Sequence, residues 1–255
     1  MKVLITRPVD QGAHWVEKLQ RMDIDAVALP LIDIQPAPES VAVVLAWSRI
    51  SQMRLVVFVS PNAVERFFVS KPAGMHWPLG LNVASTGPGT TRALLGLGVP
   101  AQRITEPAAD AAQFDSESLW ERLSDGDWRG AKVLIVRGEG GRDWLAEKLR
   151  MRGAKVTAVA AYRRGAPLFT RPQMALLAQA LAEPQTHLWL FSSSEAVAHL
   201  AQMLSNVDLA RAWAIVTHPR IAARAQEVGF GNVVKTRPTI QAVAECIRLT
   251  AGQTI

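Results

Sequence analysis

The chain repeats itself, and this repeat constrains its fold more than any other feature of the sequence. Residues 2–7 (KVLITR) return as residues 132–137 (KVLIVR), a shift of 130 positions. Residues 58–64 (FVSPNAV) return as residues 191–197 (FSSSEAV), a shift of 133 positions. Because the blocks keep their order and nearly their spacing, we infer a duplication, and the fold should contain two copies of one unit.

Each copy alternates short runs rich in β-branched residues with helical patterns of ten or more residues, which predicts βαβ units around a parallel sheet. The amphipathic patterns at 11–22 and 143–151 predict helices that each cover a sheet face. The predicted fold class is therefore α/β, with two doubly wound, flavodoxin-like parallel-sheet domains. The predicted strands span 2–6, 55–59, 82–85, 132–136, 187–191 and 213–217, with weaker ones near 103–105 and 232–235.

The strongest chain breakers do not fall between the two copies. A simple tandem would divide at 124–130 (SDGDWRG), but denser Pro and Gly breakers fall at 35–38 (QPAP) and 164–167 (RGAP), at equivalent places in the copies. Each follows an extended segment, so we expect two crossing strands to join the domains. The predicted domains are 1–35 plus 166–255, which is discontinuous, and 37–163, which is inserted.

Composition excludes several classes of protein. The chain has 255 residues, of which 49% are hydrophobic and 20% charged, values that fit two globular domains and argue against disorder. The apolar run at its start is too short for a signal peptide, and no stretch reaches the roughly 18 apolar residues of a membrane span. The single Cys246 lies in a helical pattern and is expected to fill a core. We therefore expect a cytoplasmic protein that does not bind membranes.

The net charge of +6 favours an anionic partner, and the distribution of the basic residues along the chain indicates which kind. The basic residues are mostly single, scattered arginines, and many of them should lie on solvated helix faces. The tryptophans do not alternate with basic residues as a base-stacking surface would require. We therefore expect no nucleic-acid partner and favour an anionic small molecule.

Hydroxyl groups, arginines and prolines are concentrated where six predicted strands end. Helix N-termini follow these strands, and their unpaired N–H groups suit carboxylates or phosphates. Helix capping alone would account for any one segment, but six together favour a polyanion bound in the cleft where the domains face each other. The candidate binding residues of these segments are Arg7, Ser60, Pro61, Asn62, Thr86, Gly87, Arg137, Gly138, Ser192, Ser193, Ser194, Thr217 and His218.

Other chemistry has little support in the sequence. Residues 137–141 (RGEGG) lack both the dinucleotide fingerprint and the lysine of a phosphate loop, and the five histidines show no metal spacing. His187 opens a strand and should be structural, whereas His218 has equal claims to packing and to a ligand contact. The residues alone thus leave open an enzyme without metal or cofactor, a non-catalytic binder of an anionic metabolite, or a nucleotide-dependent transferase.

Four segments together resemble the uroporphyrinogen-III synthase family: residues 3–8 (VLITRP), 58–64 (FVSPNAV), 87–90 (GPGT) and 160–163 (AAYR). The resemblance runs from residue 1 to about residue 249. It implies two α/β domains joined by two crossing strands and an enzyme with no metal or cofactor. The implied reaction is that of a lyase in haem biosynthesis, which cyclises hydroxymethylbilane, a linear tetrapyrrole with eight carboxylates, with loss of water and inversion of the terminal pyrrole ring.

The resemblance also implies roles for single residues. Tyr162 matches a tyrosine proposed to assist departure of the substrate hydroxyl, and is the candidate catalytic residue, with simple packing as the alternative. Thr90 matches a threonine near the family's site. At 218–221 (HPRI) many relatives read Gly-Pro-Thr-Thr, so we expect Arg220 to supply charge in place of hydroxyl contacts. The expected partners are the substrate hydroxymethylbilane and the preceding pathway enzyme, and the chain is expected to be a monomer.

Overall fold

The computed structural model describes residues 1–37, 39–204 and 207–251. Pro38, the second proline of the predicted breaker at 35–38, lies outside the described residues. In chain order the elements are β1 (Lys2–Ile5), α1 (Val9–Gln20), β2 (Ala26–Ala28), β3 (Asp33–Pro36), α2 (Ser40–Ser48), β4 (Leu55–Phe58), α3 (Pro61–Val69), β5 (Asn82–Ser85), α4 (Pro88–Gly96), β6 (Ile104–Thr105), α5 (Ser116–Leu123), β7 (Lys132–Gly138), α6 (Trp144–Met151), β8 (Lys155–Gly165), α7 (Arg171–Ala182), β9 (His187–Phe191), α8 (Ser194–Met203), β10 (Trp213–Val216), α9 (Pro219–Val228), β11 (Asn232–Lys235) and α10 (Ile240–Ala251).

The chain divides into two compact units. Unit 1 comprises Met1–Asp33 with Gly165–Ile255, and unit 2 comprises Ile34–Arg164. The predicted domains were 1–35 plus 166–255 and 37–163. The first division falls inside β3, so residues 35 and 36 belong to a strand rather than to a loop. Proline is tolerated there because β3 is an edge strand of its sheet.

Unit 1 is built on a five-stranded sheet in the order β2-β1-β9-β10-β11, and all its strand pairs are parallel. Counted along the chain within the unit, this order is 2-1-3-4-5, the order of flavodoxin-like folds. Val3 on β1 pairs with Ala26 on one side and with Leu188 on the other. The carboxyl ends of β1, β9 and β10 therefore share one edge of the sheet.

Unit 2 has a six-stranded sheet in the order β3-β8-β7-β4-β5-β6. Apart from the edge strand β3, this is again 2-1-3-4-5 if β7 is counted first, and the described pairs among these strands are parallel. Its register aligns Val57 of β4 with Ile135 of β7. The predicted class of two doubly wound, flavodoxin-like sheets is confirmed.

The two sequence copies exchange their halves between the units. The first copy supplies β1, α1 and β2 to unit 1 and then β4 to β6 to unit 2. The second copy supplies β7, α6 and β8 to unit 2 and then β9 to β11 to unit 1. Each sheet thus contains the first half of one copy and the second half of the other, which is why the chain passes between units twice.

Strand alternation places apolar side chains on both faces of the unit 2 sheet. Val56 and Phe58 pack with helices α2, α3 and α4 on one face, whereas Leu55 and Val57 pack with α5 and α6 on the other. In unit 1, Val3 and Ile5 pack against α1 and α10. The central strands β4 and β9 are buried at every residue, and β1, β5 and β10 at all but the first, so the polar chemistry is left to the strand ends.

A search of the described helices finds none that is both long and apolar enough to cross a membrane.

Candidate active site

Tyr162 lies near the carboxyl end of β8 in unit 2, and its ring is part of the apolar core on one face of the sheet. The residue has an exposure of 0%. Its hydroxyl lies 3.0 Å from Ser60 Oγ and accepts a hydrogen bond from Arg164 Nη2 at 2.9 Å. The Arg164 guanidinium also lies 5.5 Å from the ring centroid. The tyrosine both packs and takes part in a polar group at the strand end.

Gly138 makes this arrangement possible. It lies on β7 directly opposite Tyr162, and β7 separates β8 from β4, which leads to Ser60. A Cβ on Gly138 would stand 2.8 Å from Tyr162 Cζ and 3.1 Å from its hydroxyl oxygen. Because glycine has no side chain, the tyrosine ring can cross β7 and reach Ser60. The structure gives Gly138, predicted to bind substrate, a packing role beside the tyrosine.

Ser60 caps the N-terminus of α3, where its Oγ accepts a hydrogen bond from the Ala63 N–H at 3.1 Å. Pro61 occupies the first turn of α3, and Asn62 is buried within it. Ser60 itself is only partly buried. It is therefore the member of the pair with Tyr162 that borders the surface of unit 2.

Arg137, predicted to bind substrate, is held by its own loop. Its Nη1 donates to the Gly141 carbonyl at 2.7 Å and to Asp143 Oδ1 at 2.8 Å. The side chain is 19% exposed. These bonds fix the turn between β7 and α6 and partly neutralise the guanidinium. Its charge is thus shared with an internal carboxylate.

The end of β5 carries a second polar group in unit 2. Thr86 Oγ1 donates to the Val59 carbonyl at 3.0 Å, which ties this end to β4. Gly87 is the N-cap residue of α4, and a Cβ there would lie 2.8 Å from Phe114 Cβ. Thr90 is buried in the first turn of α4. Its chain neighbour Thr91 makes the polar contacts, donating to Glu106 Oε2 at 2.6 Å.

Arg7 at the end of β1 is partly exposed, and its guanidinium lies 4.3 Å from the Trp15 ring centroid. Its buried Nε has no hydrogen-bond partner within the part of the chain that the structure describes. Burial alone lowers the pKa of this guanidinium to about 10. The group is still charged at neutral pH, and no carboxylate among the described residues forms an ion pair with it.

The remaining strand ends of unit 1 carry small hydroxyl groups. Thr6 Oγ1 donates to the Leu190 carbonyl at 2.7 Å and is buried, as is Thr217. Ser193 caps α8 by accepting from the Glu195 N–H at 3.2 Å. Ser192 and Ser194, on either side of it, are partly buried. These groups lie at the same sheet edge as Arg7, since β1 and β9 are neighbours.

His218 caps α9, its Nδ1 accepting from the Arg220 N–H at 3.1 Å. This ring nitrogen must therefore be unprotonated in the capped form. Arg220 follows in the first turn of α9 and is exposed. His187, by contrast, is buried at the start of β9, at the opposite end of that strand, as expected of a structural residue.

The structure shows three polar residues at the strand ends that the sequence argument missed. In the sequence, Arg164 stands out only as part of a chain breaker, and the sequence argument assigns no role to Thr91 or Glu106. The clue to Arg164 was its position two residues after Tyr162, because alternate residues of a strand share a face. Nothing local in the sequence distinguished Thr91 from Thr90.

No group of three or more His, Cys, Asp or Glu side chains in 1–37, 39–204 and 207–251 is arranged to hold a metal ion. An open depression of about 450 Å³ lies near the amino end of β7, lined by residues 126–129 and 151–153. It contains none of the polar residues described above. The strand ends of unit 2 therefore offer hydroxyl groups that can move a proton, and those of unit 1 offer hydroxyl groups and the Arg7 cation, which can bind an anion.

Comparison with known proteins agrees with this architecture. The family model described as uroporphyrinogen-III synthase HemD matches residues 13–245. The chain is 26% identical over 243 residues to the uroporphyrinogen-III synthase of Salmonella typhimurium, covering 91% of this chain and 94% of that protein. The corresponding Escherichia coli enzyme is also 26% identical, over 239 residues, with the same coverage of 91% and 94%. The chain is 21% identical over 257 residues to the porphyrin biosynthesis protein HemD of Ruminiclostridium josui, where it spans only 49% of that protein.

Two solved structures share the fold. A mutant uroporphyrinogen III synthase of the extreme thermophile Thermus thermophilus superposes with a TM-score of 0.61 at 15% identity, covering 99% of both chains. The Helicobacter pylori enzyme gives 0.60 at 12% identity, covering 98% of this chain and 99% of that one. At sequence identities of 15% and 12%, these superpositions show only that the fold is shared. Because the family model matches nearly the whole sequence, the chain belongs to the uroporphyrinogen-III synthase family.

Proposed function

We propose that this protein is a lyase that cyclises hydroxymethylbilane to uroporphyrinogen III. The reaction releases water and turns the terminal pyrrole ring over. The single observation that carries the proposal is the polar group around Tyr162, the lone tyrosine of the sequence. The Tyr162 hydroxyl is hydrogen-bonded to Ser60 and Arg164 at the strand ends, and the chain belongs to the synthase family. In a non-catalytic binder this polar group would only hold Tyr162 in the core, whereas in a lyase it can also move a proton.

The substrate's carboxylates need donors, and the strand ends of each unit carry suitable groups. In unit 1 the uncompensated Arg7 would gain a charge-assisted hydrogen bond from a carboxylate, an interaction stronger than one between neutral groups. Ser192, Ser193 and Ser194 in unit 1, and Thr86 in unit 2, add hydroxyl groups. The first-turn N–H groups of α3, α4, α8 and α9 complete the set. Such preorganised donors hold and fold a flexible chain without any covalent bond to it.

Loss of the hydroxyl group begins the chemistry. When the substrate's hydroxymethyl oxygen receives a proton, it leaves as water and a reactive azafulvene remains. The terminal ring then attacks through its substituted carbon to give a spiro intermediate, and fragmentation followed by reclosure inverts that ring. The protein's tasks are to supply the first proton, to fix the geometry of attack and to exclude water.

The test is incubation of the purified chain with hydroxymethylbilane and no additive, followed by oxidation and separation of the porphyrin isomers. We expect the type III isomer. A reaction without protein serves as the control. If only the type I isomer forms, the chain does not perform the inversion, and the non-catalytic binder becomes the correct description.

We further propose that the protein acts as a cytoplasmic monomer and receives its substrate from the preceding pathway enzyme. Cys246, the only cysteine, is buried as a free thiol, and burial raises its pKa, which suits a core residue in a reducing compartment. Light scattering coupled to size exclusion should give the mass of one chain. A stable dimer would contradict the monomer.

A further inference from the structure

Tyr162 cannot touch a substrate in this structure, because none of its surface is exposed. Its hydroxyl has two hydrogen-bond partners among the described residues, Ser60 Oγ at 3.0 Å and Arg164 Nη2 at 2.9 Å. Both partners extend toward the surface, since Ser60 is partly buried and Arg164 is exposed. Any proton that Tyr162 contributes to a reaction must therefore pass through a neighbour.

The direction of the bonds follows from the donors present. A guanidinium can only donate, so Tyr162 Oη is the acceptor in its bond with Arg164. Ser60 Oγ already accepts from the Ala63 N–H. If Ser60 also donated to Tyr162, the phenolic hydrogen would be left in the core without an acceptor among the described residues, and an unsatisfied buried donor is costly.

In the favourable arrangement, Arg164 therefore donates a hydrogen bond to Tyr162, and Tyr162 donates one to Ser60. Ser60 Oγ then uses both lone pairs as an acceptor, one from Ala63 N–H and one from the phenol. The hydroxyl hydrogen of Ser60 is used in neither bond, so it can point away from the core. Bonds that run in one direction along such a chain strengthen one another.

We propose that Ser60 is the group that delivers the proton to the departing hydroxyl, that Tyr162 resupplies Ser60, and that Arg164 is a positioning residue for Tyr162. This inference rests on the proposed function. The carbon–oxygen bond breaks as the hydroxymethyl oxygen takes the Ser60 proton, and Ser60 takes the phenolic proton. The phenolate that remains is balanced by the Arg164 cation. The proton that the substrate releases on ring closure returns along the same path.

Arg164 has a near-ideal control in its chain neighbour. Arg163 is also an exposed arginine, and it precedes Arg164 on the same strand, so alternation directs its side chain to the other face. We compare Arg164→Met, Arg164→Lys and Arg163→Met by steady-state kinetics. Arg164→Met should lower kcat at least about tenfold with KM changed less than about threefold, because the lost donor matters most when the phenolate forms. Arg164→Lys should recover most of kcat, and Arg163→Met should retain it.

A second measurement needs no substrate. The chain contains one tyrosine, so labelling tyrosine with ¹³C at Cζ gives a single NMR resonance that reports the hydrogen bonds of Tyr162. Arg164→Met and Ser60→Ala should each shift this resonance, whereas Arg163→Met should leave it in place. Ser60→Thr, which keeps both the hydroxyl and the helix cap, should restore the resonance and the turnover that Ser60→Ala loses.

The outcomes separate the two proposals. If the wild-type chain forms no type III isomer, the proposed function fails, whatever the resonance shows. If it forms the type III isomer but Arg164→Met keeps wild-type kcat, the relay is wrong and the function stands. An unmoved Cζ resonance in both Arg164→Met and Ser60→Ala would also overturn the relay.

Discussion

The strand ends of the two units come from one ancestral repeat but carry different chemistry. Arg7 and Arg137 occupy equivalent positions in the two copies. Arg137 in unit 2 is paired with Asp143 at 2.8 Å, whereas Arg7 in unit 1 lies against Trp15 and has only burial acting on its pKa. An internal carboxylate makes Arg137 a part of its loop. Arg7 has no carboxylate partner among the described residues, and the proposed function therefore assigns its charge to the substrate.

The hydroxyl groups differ in the same way. Ser60 in unit 2 caps α3 and also bonds to Tyr162, while its repeat counterpart Ser193 in unit 1 has the capping role. Unit 2 thus holds the groups that can move a proton, and unit 1 holds the unbalanced cation. Equivalent strand ends of the two units therefore differ in the polar contacts that they make.

Tyr162→Phe is the sharpest test of the proposal that the proton-transfer groups lie in unit 2. Removing the phenol should lower kcat about 100-fold, within the usual range for a lost proton-transfer group, with little change in KM. The variant keeps the ring, so folding should be preserved, as circular dichroism can check. Unchanged kcat would remove the tyrosine from the mechanism and leave positioning by the two units as the whole of catalysis.

Gly138→Ala should have the next largest effect. The new Cβ would stand 2.8 Å from Tyr162 Cζ, so the ring must move away from Ser60. We expect kcat to fall about tenfold or more and the free energy of unfolding to fall by about 1–3 kcal/mol. Gly96→Ala is the matched control, because a Cβ at Gly96 meets nothing within 4 Å. Equal kcat in both variants would show that the crossing of β7 by the tyrosine ring is unimportant.

Arg7→Met and Arg137→Met compare the two copies directly. Arg7→Met should raise KM about tenfold, the value of one lost charge-assisted hydrogen bond, and should change the free energy of unfolding little, since no carboxylate among the described residues pairs with the guanidinium. Arg137→Met should instead lower the free energy of unfolding by about 1 kcal/mol with a smaller change in KM. Thermal denaturation and kinetics on both variants give the four values.

The dependence of KM on ionic strength gives a second test of Arg7. KM of the wild-type chain should rise with salt, and this rise should be weaker in Arg7→Met, because exposed charges are screened over about 8 Å at physiological salt. A wild-type KM that is flat between low and high salt would mean that backbone N–H groups, rather than arginines, dominate binding. Equal salt dependence in Arg7→Met and wild type would exclude Arg7 as an anion contact.

Ser193→Ala should have the smallest effect. Losing the cap of α8 costs about 1 kcal/mol of stability, and the remaining donors should limit the rise in KM to about threefold with kcat unchanged. Thr90→Ala, within the first turn of α4, should likewise leave kcat near the wild-type value. A drop in kcat in Ser193→Ala as large as that in Tyr162→Phe would contradict the proposal that the proton-transfer groups lie in unit 2.

Much of the site's outline was predictable because strand ends are local features. The strands at 55–58, 82–85 and 187–191 follow from short apolar runs, and the polar segments after them follow from the alternation of strands and helices. Helix capping was the alternative considered for the strand-end serines, and Ser60 and Ser193 do cap helices; their predicted contact with a ligand stays a prediction. What could not be predicted was which of these polar groups satisfy one another, since two arginines in matching repeat positions look the same in the sequence.

The sequence by itself determined the α/β class and the family, and it indicated a repeat and two crossings between domains, because these depend on periodicity, breakers and order along the chain. Only the tertiary structure decided that Tyr162 is buried and reaches Ser60, 102 residues away, across a glycine on the strand between them. It also decided that Arg137 is paired with a carboxylate while only burial acts on the pKa of Arg7. The physical reason is that hydrogen bonds and desolvation act over a few ångströms in space, and sheet register, rather than local sequence, sets which groups come that close.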